Sequence, residues 1–210
     1  ICFINKLDRT GASFERSYQS ILERLNKSAV RMQLPIGEED GFESVIDLLK
    51  MKAYKFEGDK GKNVVEVEIP ENMLAEAKKY RAELVERIVE HDDAQMAAYL
   101  EGKEPSIDEL KATLRKAVIA NKIFPVYTGS ALKNKGVQLV LDAVVDYLPS
   151  PEEVPPAHGT DPKTGAEIVR TASDKEPFAA LAFKLQADPF VGQLTFFRVY
   201  SGTVEAGSYL

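Results

Sequence analysis

Two short apolar runs, residues 1–4 and 123–128, are each followed by a polar turn and then by a helix-forming stretch. Neither run alternates with polar residues. That is the pattern of strands covered on both faces, as in parallel sheets. A strand that leads through a turn into a helix is the repeating unit of an open α/β sheet, whose ligands bind beyond the carboxyl ends of the strands. The turns Asn5-Lys6-Leu7-Asp8-Arg9-Thr10-Gly11 and Gly129-Ser130-Ala131-Leu132-Lys133-Asn134-Lys135-Gly136 therefore occupy the positions where a function is to be sought.

The rest of the chain divides around these two units. Ser13 is placed to cap a helix carrying Phe14, Ile21, Leu22 and Leu25. Residues 30–36 read as one strand and 37–41 as an acidic turn, with short strands at 45–49 and 53–56. A hairpin signal at 57–62 leads into an alternating strand at 64–69. A helix from Pro70 carries Met73, Ala77, Tyr80, Leu84 and Ile88, and Asp92-Asp93 breaks it and starts a short helix. Ser106 and Glu109 form a capping box before Leu110, Leu114, Ala117 and Val118. After the second turn, Val137, Val140, Leu141, Val144, Val145 and Leu148 make an apolar helical stripe. Prolines from 149 to 162 mark a linker, and from Phe178 the pattern is all β. The organisation expected is an α/β part at 1–27 and 122–149, an α+β insertion at 28–121, a linker at 150–176 and an incomplete β domain at 177–210. Termini usually carry polar, disposable residues. An apolar strand at the first residue leads us to expect a piece of a longer protein, cut just before a strand.

Composition narrows the partners. A net charge of −6 argues against DNA as a partner of the whole surface. No apolar run reaches membrane-spanning length, and no signal peptide is present, so a cytoplasmic protein is expected. Cys2, the single cysteine, is expected to be a small buried side chain. His91 and His158 lack partners at metal-ligand spacing and read as solvated; no metal site is expected.

The first turn has a specific chemistry. An ionised Asp8 is acceptor-only, and its two oxygens match the adjacent ring N1–H and exocyclic amine of guanine. Adenine offers neither donor there, so the carboxylate would lose its water and gain nothing. Asn5 would anchor the neighbouring loop, and the aliphatic stem of Lys6 can cover one ring face. In the second turn, the Ala131 N–H is suited to donate to the base oxygen, Ser130 to fix the Asp8 rotamer, and Leu132 to cover the other face. Each turn alone is also compatible with a plain strand-to-helix connection.

The stretch NKLDRTGASF resembles the fourth motif of translational GTPases, and GSALKNKGVQLVLDAVVDYLPSP resembles their fifth motif with its following helix. With MQLPIG and the run 46–54, the second stretch is very similar to the bacterial elongation factor G family. Leu132 fits that family where many small GTPases have Lys. The resemblance spans nearly the whole chain. It implies the C-terminal part of a P-loop-type GTPase doubly wound sheet with an α+β insertion, followed by the start of an antiparallel β-barrel. It also implies a GTPase that drives tRNA and mRNA translocation on the ribosome and helps recycle ribosomes. GTP or GDP would be bound by Asn5, Lys6, Asp8, Ser130, Ala131 and Leu132. In the family the insertion helps engage the ribosomal stalk protein, which makes Glu83, Glu86, Glu90, Asp92 and Asp93 candidates for it, while acidic helices also read as plain solvated faces. By charge, Lys184, Arg198 and Lys133 to Lys135 suit ribosomal RNA phosphates, and single lysines also read as merely solvated. A monomer is expected. The family's phosphate loop, Mg²⁺-binding Thr and catalytic His have no counterpart here: the sequence contains no G-x-x-x-x-G-K-S/T. This chain alone is thus expected to bind guanine nucleotide weakly at best and not to hydrolyse GTP. The alternative is a non-enzymatic module that docks on the ribosome or its stalk.

Overall fold

The computed structural model describes residues 1–209. The chain runs β1 (Cys2–Ile4), α1 (Phe14–Arg24), β2 (Ala29–Arg31), β3 (Gln33–Ile36), β4 (Ser44–Asp47), β5 (Lys52–Glu57), β6 (Asn63–Val67), α2 (Glu71–Val89), α3 (Asp93–Leu100), α4 (Ile107–Ile119), β7 (Phe124–Thr128) and α5 (Val137–Tyr147). Then follow β8 (Ala157–Thr160), β9 (Glu167–Arg170), β10 (Ala179–Asp188) and β11 (Gly192–Ser201). Ile1–Leu148 form one compact unit and Pro149–Leu210 a second. The expected end of the β domain, Leu210, lies outside the described residues.

The first unit combines two sheets. β7 is the centre of a parallel sheet of order β1-β7-β2, with Ile4 opposite Thr128 and Val30 opposite Pro125. Central position explains why Val126 is wholly buried. β1 is an edge strand, so Cys2 and Phe3 are only half-buried, against the expectation of a fully covered strand and a buried Cys2. The segment 30–36, expected as one strand, is two. At Met32 the backbone leaves the parallel sheet: its N–H donates to Val126 O and its carbonyl accepts from Leu48 N–H. The chain then enters an antiparallel sheet of order β3-β4-β5-β6.

Helix ends follow side-chain chemistry. Ser13 caps α1 by accepting from Arg16 N–H, and Asp92 caps α3 by accepting from Ala94 and Gln95 N–H. Leu25 sits at the C-cap of α1 and is 76% exposed, because the chain turns away there. On α2, Ala77, Leu84 and Ile88 are buried, while Met73 and Tyr80 pack at the core's margin. The capping box of α4 is complete: Glu109 N–H donates to Ser106 Oγ at 3.3 Å and Ser106 N–H to Glu109 Oε2 at 2.8 Å. It sets the rotation that buries Leu110, Leu114, Ala117 and Val118. Replacing Ser106 by Ala is expected to lower stability by about 1 kcal/mol, read as a shift of the urea midpoint at constant slope.

Helix α5 is rotated from the face expected, of which Val140 and Leu148 still pack at the core's margin. Leu139, Ala143 and Tyr147 point inward, while Leu141, Val144 and Val145 are exposed. The helix is apolar on several sides, so periodicity alone does not choose among them. Polar contacts choose: Lys111 pairs with Asp146 at 2.6 Å, and the Arg115 guanidinium donates to the carbonyls of Val145 and Asp146.

The second unit is made of hairpins. The stretch 150–176, expected as a linker, carries a 3₁₀ turn (Pro151–Glu153) and the β8–β9 hairpin. Asp161 builds the hairpin turn by accepting from Lys163 and Thr164 N–H. β10 and β11 pair as an antiparallel ribbon with a register shift between Ala182 and Lys184. Among the described residues this ribbon is two-stranded and is not a closed barrel. No helix among the described residues is long and apolar enough to cross a membrane.

Candidate functional site

The two turns named from sequence leave adjacent strand ends and are fastened to each other. Gly129 N–H donates to Ile4 O at 3.0 Å, Leu7 N–H to Gly129 O at 3.2 Å, and Thr128 Oγ1 to Ile4 O at 3.2 Å. Ser130 and Lys135 close the second turn through paired backbone bonds of 2.9 and 3.0 Å. Two glycines are required by this closure. A Cβ on Gly129 would stand 2.2 Å from Lys135 O. One on Gly136, where φ is 90°, would stand 2.6 Å from Thr128 O. Gly136→Ala is expected to cost about 1–3 kcal/mol through left-handed strain and displacement of the turn, measurable by thermal unfolding.

All six candidate residues gather at this end of the sheet. Asn5 Oδ1 accepts from its neighbour Lys6 N–H at 2.7 Å and from Ala131 N–H at 2.9 Å, so one amide side chain ties the turns together. The Ala131 N–H expected to meet a base oxygen is engaged by Asn5 in this structure. The Asp8 carboxylate takes a hydrogen bond from the buried Ser130 hydroxyl. This bond, assisted by the Lys133 and Arg9 charges, outweighs desolvation and holds Asp8 below the usual carboxylate range. Leu7 is buried and pins the turn from below, while Lys6, at φ 65°, and Leu132, 79% exposed, project from the two turns. The two joined turns carry an ionised two-oxygen acceptor, an aliphatic ammonium stem and an exposed apolar side chain.

Other candidates separate by what they touch. Asp92 is engaged as a helix cap. Glu83 and Glu90 are exposed beside Lys79 and Arg87, and Glu86 and Asp93 are exposed on the same stretch. Lys135 donates to Phe42 O at 2.6 Å and lies over the Phe42 ring, so its charge is turned inward rather than offered to a phosphate. Lys184 and Arg198 lie over Phe196 and Tyr200. His91 is exposed, and His158 meets Glu167 at 2.7 Å on the surface. Among the described residues no three His, Cys, Asp or Glu side chains gather to hold a metal ion. Sequence reasoning missed Glu38 and Glu39, which reach the first turn from the acidic loop at 37–41. Three adjacent acids between two glycines were the only signal, and that signal also describes an ordinary solvated loop.

The family model described as the elongation factor Tu GTP binding domain matches residues 1–150, and the chain belongs to that family. The match places residues 1–150 in a family of GTP-binding domains of translational GTPases. A crystal structure of a Thermus thermophilus protein is similar over 98% of this chain, at 28% identity and a TM-score of 0.74. The chain spans 28% of the length of that protein.

Proposed function

We propose that this chain is the guanine-reading part of a translational GTPase of the elongation factor G kind. The observation that carries the reading is the joining of the two turns: Asn5 binds Ala131, and Ser130 keeps Asp8 ionised and oriented. Guanine would donate its N1–H and amine to the two Asp8 oxygens, a pairing that adenine cannot make. Lys6 and Leu132, both exposed, would cover the ring faces. Ala131 would release Asn5, or share its N–H, to meet the base oxygen.

The residues present fit the base and not the phosphates. Phosphoryl transfer depends on positioning and charge neutralisation by a backbone cradle, a Lys and Mg²⁺, and the sequence has no motif for that cradle. GTP hydrolysis by this chain alone is therefore not expected. In the intact factor, hydrolysis would be coupled to ribosomal translocation of tRNA and mRNA in the cytoplasm. Glu83, Glu86, Glu90 and Asp93 remain the candidates for the stalk protein, and Lys133, Lys184 and Arg198 for ribosomal RNA. The test is calorimetric titration of the purified monomeric chain with GDP, with ADP as control. Selective binding of GDP supports the reading. Equal binding of GDP and ADP refutes it. No binding of either in a folded chain means that the base-reading turns need the phosphate cradle, and directs the search to docking on the stalk or ribosome. Because Asp8 titrates below the ordinary carboxylate range, it stays ionised on mild acidification. GDP affinity is expected to stay level from neutrality to about pH 5 and to fall only as pH drops through the lowered Asp8 value.

A further inference from the structure

We infer that Glu39, a residue of the insertion, is a positioning residue for Asp8; this rests on the guanine-reading proposal. Glu39 grips the first turn on both sides of Asp8. Its backbone N–H donates to Leu7 O at 2.8 Å, immediately before Asp8. Its carboxylate accepts from Gly11 N–H at 2.7 Å, beyond Asp8. One residue, 28 positions away from Gly11 in sequence, thus spans the turn that carries the base-reading carboxylate. Charge-assisted bonds of this kind are stronger and shorter than neutral ones.

The loop that presents Glu39 is built to hold it there. Glu39 itself adopts φ 56°, in the left-handed region, and a double grip on the turn is the kind of over-determination under which such strain persists. Gly37 has φ 79°, and a Cβ there would collide with Gly41 O, so the loop folds tightly on itself. Phe42 closes the loop as a buried anchor, and its carbonyl takes the Lys135 ammonium from the second turn. The loop 37–42 therefore touches both reading turns. Glu38 acts elsewhere: its carboxylate accepts from Phe14 N–H at 2.7 Å, the first residue of α1. It caps a helix and serves as the internal control.

A role in placing Asp8 differs from a role in stability by its dependence on the base. Inosine diphosphate keeps the N1–H of guanine and lacks the 2-amine, so the GDP-to-IDP affinity ratio reports how well the second Asp8 oxygen is placed. In the purified chain, Glu39→Ala is expected to weaken GDP about tenfold and IDP by about threefold or less, which shrinks the ratio. Glu39→Gln keeps an oxygen for Gly11 N–H and should restore GDP affinity to within about threefold of the original. Glu39→Asp keeps the charge and withdraws it from Gly11. It should behave as the Ala variant does, and it substitutes for that variant if Ala fails to fold. Glu38→Ala should lower the unfolding midpoint with the ratio unchanged. Equal loss for GDP and IDP, no loss in Glu39→Ala and Glu39→Asp, or failure of Gln to rescue would overturn the assignment while the guanine reading stands. An original chain that binds GDP and ADP equally would refute the guanine reading, and the assignment with it.

Discussion

Replacing Asp8 by Asn is expected to abolish the preference for GDP proposed above and to move the chain toward xanthosine diphosphate. The carboxylate offers two acceptors, whereas an amide offers one acceptor and an –NH₂. Against guanine, that –NH₂ faces the exocyclic amine, donor to donor. Xanthine carries a carbonyl at that position, which the new donor meets. A mismatched, desolvated polar pair costs a few kcal/mol, so GDP affinity should fall by about two to three orders of magnitude. Stability should change little. Asp8 lies on a turn rather than in the core, and Ser130 can still donate to the Asn oxygen. A surface change of that kind moves stability by about 0.5 kcal/mol or less. Side-by-side calorimetry with GDP, xanthosine diphosphate and ADP checks the result. Unchanged GDP binding in the variant would remove Asp8 from the base site.

How much of this was legible depends on the range of the interaction that fixes each feature. Local chemistry was legible: Ser13, Asp92 and the Ser106–Glu109 box start helices where their side chains say they should. The two turns were legible as strand-to-helix connections, because an apolar run, a polar turn and a helical stretch follow one another in adjacent letters. Features set at a distance were not. Nothing in residues 30–36 tells that Met32 must serve Val126 on one side and Leu48 on the other. The face of α5 is chosen by Lys111 and Arg115 of another helix, against a sequence apolar on several sides. Glu39 meets Gly11 only because an antiparallel sheet returns the chain to the first turn. The engagement of Ala131 by Asn5 likewise needs both strands in register.

The second large effect belongs to Arg31, a buried charge that no sequence pattern singled out. It rises from β2 at 8% exposure, with its guanidinium 3.7 Å from the Tyr80 ring centroid and 4.5 Å from that of Tyr18. Phe14 stacks on Tyr18 alongside, and Glu15 pairs with Arg31 at 3.0 Å. One planar cation thus joins α1, β2 and α2, that is, the helix following the Asn5–Gly11 turn and the helix after the antiparallel sheet. Desolvated cation–π contacts are worth about 2 kcal/mol, and truncation also leaves a cavity lined by three rings. The Glu15 pair adds little, because Glu15 is half-exposed and regains water. Arg31→Ala is therefore expected to destabilise the first unit by about 3–5 kcal/mol, which for a chain of this size lowers the unfolding midpoint by about 10 °C. Arg31→Lys should recover only part of this, since an ammonium cannot lie flat between two rings. A loss below about 1 kcal/mol would mean that the rings close over the gap and that the cation only decorates the contact. A large loss, with Lys intermediate, would mean that α1, β2 and α2 are held as one body by stacking. In that case a disturbance at α2 reaches the turn at Asp8 through α1, in parallel with the grip of Glu39.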